Sequence, residues 1–197
     1  STQKWTLFPT RRSSDLKKLS KFYIIKDDQP KEKLLEKATD LRESGNYNEA
    51  IEMLESGFSN FPKDPNFLTL LSHCYILKAD LEKASVYLNM AKKISPMDAS
   101  VGWNETRILL KKKKVNEALA VAKKSNKLFP DDIEGMGVLG ACLSFHGDNK
   151  ESLKFLNKAI KLNPNYAEAL INRGLIWLKQ EKRFEAITDL EKAHQLK

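Results

Sequence analysis

The 197-residue sequence predicts an all-α solenoid of about five stacked helix–turn–helix units. Three observations predict it. Four prolines, Pro62, Pro96, Pro130 and Pro164, stand 34 residues apart; small residues recur in the same slots of each interval; and glycines in "ESGNY" and "FHGDN" mark a turn at mid-interval. A fixed period of this length belongs to chains whose units cannot bury their own apolar faces and must stack on neighbours.

The chain opens on a lead-in, residues 1–30. Its stretch Thr6 to Leu16, "TLFPTRRSSDL", looks like the translation of a sequencing-adapter oligonucleotide and is set aside from the fold; the other reading is a genuine basic tail. Counting Lys31 as slot 1, the repeat frame runs 31–64, 65–98, 99–132, 133–166 and 167–197 without an insertion. Proline occupies slot 32, where its ring cannot continue a helical hydrogen-bond ladder. Slot 8 is small throughout (Ala38, Ser72, Thr106, Gly140, Gly174), as is slot 20 (Ala50, Ala84, Ala118, Ser152, Ala186), whereas slot 11 is Leu41, Tyr75, Leu109, Leu143 and Trp177. Small residues let two helices approach, and large ones fill the space that remains. Repeat three has no turn glycine and carries Lys111 to Lys114 instead, so it is expected to be the most irregular. The fifth unit stops at slot 31 with no polar capping helix after it, which leads us to expect a longer natural protein.

These slots, and most closely residues 162–193, "LNPNYAEALINRGLIWLKQEKRFEAITDLEKA", resemble the tetratricopeptide repeat family over 31–197. The resemblance implies a right-handed superhelix whose first helices line a concave groove, with slots 2, 5, 9 and 12 facing it. Asn66, Thr69 and His73 of repeat two, Ser100, Trp103 and Arg107 of repeat three, and Glu134 and Gly137 of repeat four then lie along the groove. Trp103 and Arg107 are residue types common among binding hot spots, although Trp103 would equally suit packing between neighbouring repeats. The lysine- and asparagine-rich clamp of chaperone-binding relatives is not visible, since repeat one offers Glu32, Leu35 and Thr39. An asparagine ladder like that of O-linked N-acetylglucosamine transferase is matched at Asn104 and Asn172 but broken by Glu36, Leu70 and Val138.

Other chemistry finds little support. "GMGVLG", residues 135–140, spells a dinucleotide-binding fingerprint, but the segment before it, "LFPDDIE", reads as a helix start and not as the buried strand that such a site needs. Gly140 fills the small slot 8. Gly137 is expected to leave room beside Trp103 for a partner's side chain, and an alanine there should favour the helix by about 0.8–1 kcal/mol. His73 and Cys74 are adjacent and so point to different sides of a helix. The three histidines fall in different repeats, away from zinc-ligand spacing, and Cys74 and Cys142 lie two repeats apart, beyond the reach of a disulfide. No catalytic residue, cofactor or metal ligand is therefore assigned. The net charge of +8 is half contributed by residues 1–30, leaving the repeats a mixed-charge surface that disfavours nucleic acid. No apolar run approaches the roughly 18 residues of a membrane span, and a cytoplasmic location is expected.

The sequence thus points to a non-catalytic protein-interaction module whose groove takes a peptide or another domain of the same polypeptide. The alternative is the N-terminal arm of a larger bacterial-type glycosyl-, sulfo- or methyltransferase.

Overall fold

The computed structural model describes residues 30–196, so the adapter-like stretch lies outside the described residues. Ten helices fill that span. They alternate as first and second helices of five antiparallel pairs: α1 (Lys31–Glu43) with α2 (Tyr47–Asn60), α3 (Pro65–Leu77) with α4 (Leu81–Ile94), α5 (Ala99–Lys111) with α6 (Val115–Leu128), α7 (Ile133–His146) with α8 (Asn149–Leu162), and α9 (Ala167–Lys179) with α10 (Arg183–Gln195). Each first helix packs on its own second helix and on the first helix of the next pair, the pattern of a solenoid.

The helix ends follow from local chemistry. Asp64, Asp98 and Asp132 each accept a backbone N–H of the following first turn, closing donors that the helix itself cannot satisfy. The second helices stop at Asn60, Ile94, Leu128 and Leu162. One residue then precedes proline in each case and is pushed into extended backbone, as at Asn163 with φ −130° and ψ 95°. The turn inside every pair is made by a residue in the left-handed region: Gly45 and Gly147, but also Ala79, Lys113 and Glu181, each with φ of 60°. Repeat three is therefore as regular as its neighbours. Lys113 takes the glycine's conformation, and α5 and α6 have the common lengths of 13 and 14 residues.

The core is built at the small slots. All ten residues of slots 8 and 20 are buried. Two of these contacts are tied by hydrogen bonds between first and second helix, from Ser72 to the Ala84 carbonyl and from Ser152 to the Gly140 carbonyl. A Cβ on Gly140 would stand 2.7 Å from Leu156, which explains glycine in that slot. Cys74 and Cys142 are free and buried in this core, where burial pushes their thiols up to about 11 and about 12. Among the described residues no helix is long and apolar enough to cross a membrane.

Candidate functional site

The first helices α1, α3, α5 and the start of α7 line an open cavity of about 240 Å³ with polar and apolar walls. α1 contributes Leu35 and Arg42, α3 Asn66, Thr69, Leu70 and His73, α5 Ser100 and Asn104, and α7 Glu134. Asn66 is exposed at the mouth, while Thr69 and Asn104 are buried in the floor. With Arg42 of α1 and Glu134 of α7 both in its lining, the cavity spans repeats one to four.

A chain of charged and polar contacts starts in the cavity wall at Arg42, His73 and Glu134. Arg42 Nη1 donates to His73 Nδ1 at 3.0 Å, which requires that nitrogen to be the acceptor and leaves the ring proton on Nε2. His73 Nδ1 lies 3.9 Å from Glu134 Oε1. Burial first, then the charges of Arg107 and Arg42, hold the His73 pKa well below 6.5, so the ring is neutral. Arg107 Nη1 donates to Glu134 Oε1 at 2.7 Å, and its Nη2 donates to Glu168 Oε2 at 2.8 Å. Burial pushes the Glu168 carboxyl up, but the Arg107 guanidinium outweighs it and holds the group below its usual range. The Tyr166 hydroxyl, kept protonated by burial and then by Glu168, donates to the same carboxylate at 3.2 Å. One arginine thereby links three successive first helices, α5, α7 and α9.

Several expected groove residues have other work. Trp103 is fully buried, with its ring packed where a Cβ on Gly135 of α7 would sit, so it joins neighbouring repeats and does not face the groove. The cause is one slot of register. Gly102 occupies the position where a side chain would strike the Ser125 hydroxyl of α6, and the tryptophan beside it is turned toward α7. Arg107 is buried and paired with two carboxylates, so it is no open hot spot. Gly137 leaves no vacancy beside Trp103. The phenol of Tyr166 fills that space, with its oxygen 2.7 Å from where a Cβ would be. The "GMGVLG" segment lies wholly within α7, which Asp132 caps, and has helical packing as its explanation.

Asn66, Thr69, His73 and Asn104 are brought together around the cavity; Asn172 is half-buried on α9, away from it. Asn104 Nδ2 donates to the Thr69 carbonyl at 2.8 Å, so its amide joins α5 to α3 and is not a free rung of a ladder. Buried Val138 stands at the rung between Asn104 and Asn172. Arg42 is the cavity residue that sequence reasoning missed, although slot 12 carried back into repeat one would have found it. Tyr166 sits in slot 34, where no repeating pattern announces an aromatic.

Tetratricopeptide repeat family models match residues 41–102 and 133–166, falling on pairs whose geometry is that of the whole stack. The chain carries tetratricopeptide repeats over those residues. Among solved structures, a thermophilic tetratricopeptide repeat protein of Thermus thermophilus is similar at a TM-score of 0.70 and 17% identity, over 85% of this chain and 91% of that one. PilF of Pseudomonas aeruginosa is similar at 0.58 and 16%, over 87% and 78%. At such identities the likeness is one of fold. A curated relative, the UDP-N-acetylglucosamine–peptide N-acetylglucosaminyltransferase of Giardia intestinalis, is 29% identical over 89 residues, 45% of this chain. The matched part spans 6% of that enzyme's length.

Proposed function

We propose that this protein is a non-catalytic interaction module that takes an extended peptide on its concave face at repeats one to four. The observation that carries the reading is the cavity between α1, α3, α5 and the start of α7, large enough for a side chain and lined by polar groups of four repeats. A few well-placed polar groups over a preformed concavity fix the orientation of a ligand segment. The carboxylates of Glu134 and Glu168 hold Arg107, so we assign specificity to Arg42, Asn66 and Ser100, which line the cavity.

Random dodecapeptides displayed on phage and selected on the full chain test this. Binders should compete for one site and lose roughly five- to tenfold in affinity on Asn66→Ala or Arg42→Ala, about 1 kcal/mol each. A library that yields no binder, or binders indifferent to both substitutions, would overturn the assignment.

A second reading, favoured by the match to a stretch of a peptide-modifying transferase, makes the repeats the arm that guides a substrate to a catalytic domain. The buried Asn104 weighs against the backbone-reading ladder that such an arm would use. Recovery of the full reading frame separates the two, since only an arm is joined to a transferase domain.

A further inference from the structure

The fold sorts the charge of repeats two to four by layer. Their second helices α4, α6 and α8 carry ten lysines against Glu82, Glu117 and Glu151. In the first helices α3, α5 and α7, Arg107 and Lys111 are matched by Glu105 and Glu134. The basic layer is thus the one that contributes nothing to the cavity. At the ends of its three helices, slots 29 and 30 hold Lys93 with Ile94, Lys127 with Leu128, and Lys161 with Leu162, one pair every 34 residues. The lysines are exposed, and the aliphatic side chains beside them are 44%, 48% and 52% exposed. These positions lie inside the stack, and the helix pair that follows each one leaves it uncovered. Lysine at a helix C-terminus suits the dipole, but the dipole gives no reason for an open aliphatic group next to it. Lys92 and Lys158 of the same layer are paired with Glu105 and Asp131; among the described residues no carboxylate takes Lys93, Lys127 or Lys161. Repeat one has Ser59 and Asn60 in these slots, both exposed, so the helix end itself demands neither charge nor apolarity.

We propose that this row of pairs is a peripheral contact with an anionic bilayer surface. Ile94, Leu128 and Leu162 enter its interfacial zone, while Lys93, Lys127 and Lys161 meet the headgroups. A cation beside an open aliphatic group gains from both halves of such a surface, through charge attraction and through burial of the apolar group. Nucleic acid would use the lysines alone, because a phosphate backbone offers no apolar phase, and the three pairs hold no aromatic ring on which a base could stack. The row lies on the second helices and the peptide cavity on the first, so the two readings stand independently.

Cosedimentation of the full chain with vesicles tests this, comparing phosphatidylcholine containing about 30% phosphatidylserine with phosphatidylcholine alone. Partitioning onto the anionic vesicles should be at least about tenfold the stronger. Ile94→Asn, Leu128→Asn and Leu162→Asn together should lower it about tenfold with the charge intact. Lys93→Ser, Lys127→Ser and Lys161→Ser together should lower it by about as much with the aliphatic row intact. Both triple variants import residues that repeat one already carries in these slots, so the helices are kept, and far-UV circular dichroism verifies it. An asparagine variant that partitions like wild type would overturn the proposal, since the attraction would then be charge alone, within reach of the basic residues 1–30. So would a wild-type chain that stays off the anionic vesicles. A chain that binds poly(U) more tightly than the vesicles, with the asparagine variant unaffected, would assign the lysines to nucleic acid and overturn it too.

Discussion

Arg107 on α5 and Glu168 on α9 are joined at 2.8 Å across two repeats, with Glu134 of α7 held between them at 2.7 Å. Neighbouring repeats are ordinarily coupled only pairwise; this contact couples three. Removing the arginine leaves two carboxylates facing each other without their cation. Because Glu168 is about one-third exposed, water compensates part of the loss. Arg107→Ala is expected to cost about 1–3 kcal/mol in urea unfolding, below the 3–5 kcal/mol typical of a fully buried pair. The Glu168 carboxyl is held below its ordinary 4.5, so the contribution of the contact is complete above that pH and lost as pH falls through the lowered value. The stabilities of wild type and variant should converge in acid, and a constant gap would refute the electrostatic account.

His73 gives a second window. Its ring faces Arg42 and Arg107 with Glu134 at 3.9 Å, and its pKa lies well below 6.5. The unfolded chain takes up a proton on this residue below pH 6.5 that the folded chain refuses, so stability is whole above that pH and declines beneath it. The decline from one proton approaches about 1.4 kcal/mol per pH unit. His73→Gln keeps an acceptor for Arg42 and cannot titrate. Urea melts at about pH 7 and about pH 5.5 should show a smaller loss in this variant than in wild type; equal losses would mean that His73 protonates freely in the folded state.

The mid-repeat turns provide a test without charge. Ala79, Lys113 and Glu181 adopt φ of 60°, a conformation that costs an L-residue about 1–2 kcal/mol and glycine little. Ala79→Gly, Lys113→Gly and Glu181→Gly should each raise stability, by up to about 1 kcal/mol once the extra freedom of glycine in the unfolded chain is set against it. Thermal melts of the three single variants check this. A fall in Tm at all three would show that these side chains make contacts worth more than the strain.

The repeat, the helix ends and the packing slots were legible in the sequence because each is local or periodic: Pro164 stops α8, Asp132 starts α7, and Gly140 admits Leu156 wherever its neighbours stand. The groove slots also group Asn66, Thr69, His73 and Ser100, and these four line the cavity. What was lost is whatever depends on the partner across the interface. Trp103 occupies a groove slot, but the absent side chain at Gly135 gives it a better berth, and no single-repeat pattern encodes that exchange. Arg107 also holds a groove slot, and its two carboxylates lie 27 and 61 residues further along the chain. Charge pairing between repeats carries no spacing that a reader could recognise.

Gly137 shows how far such a partner can reverse an expectation. By helix propensity alone, Gly137→Ala should stabilise α7 by about 0.8–1 kcal/mol. The added Cβ, however, would stand 2.7 Å from the Tyr166 oxygen, whose ring is held by its hydrogen bond to Glu168 and cannot retreat without releasing that carboxylate. Overpacking of this kind costs about 1–3 kcal/mol, and the balance is a net loss. Gly137→Ala should therefore lower Tm. The same substitution with Tyr166→Phe, which frees the ring to move, should recover part of that loss beyond the sum of the single effects. A more stable Gly137→Ala protein would mean that Tyr166 yields easily, and that the space beside α7 is available after all.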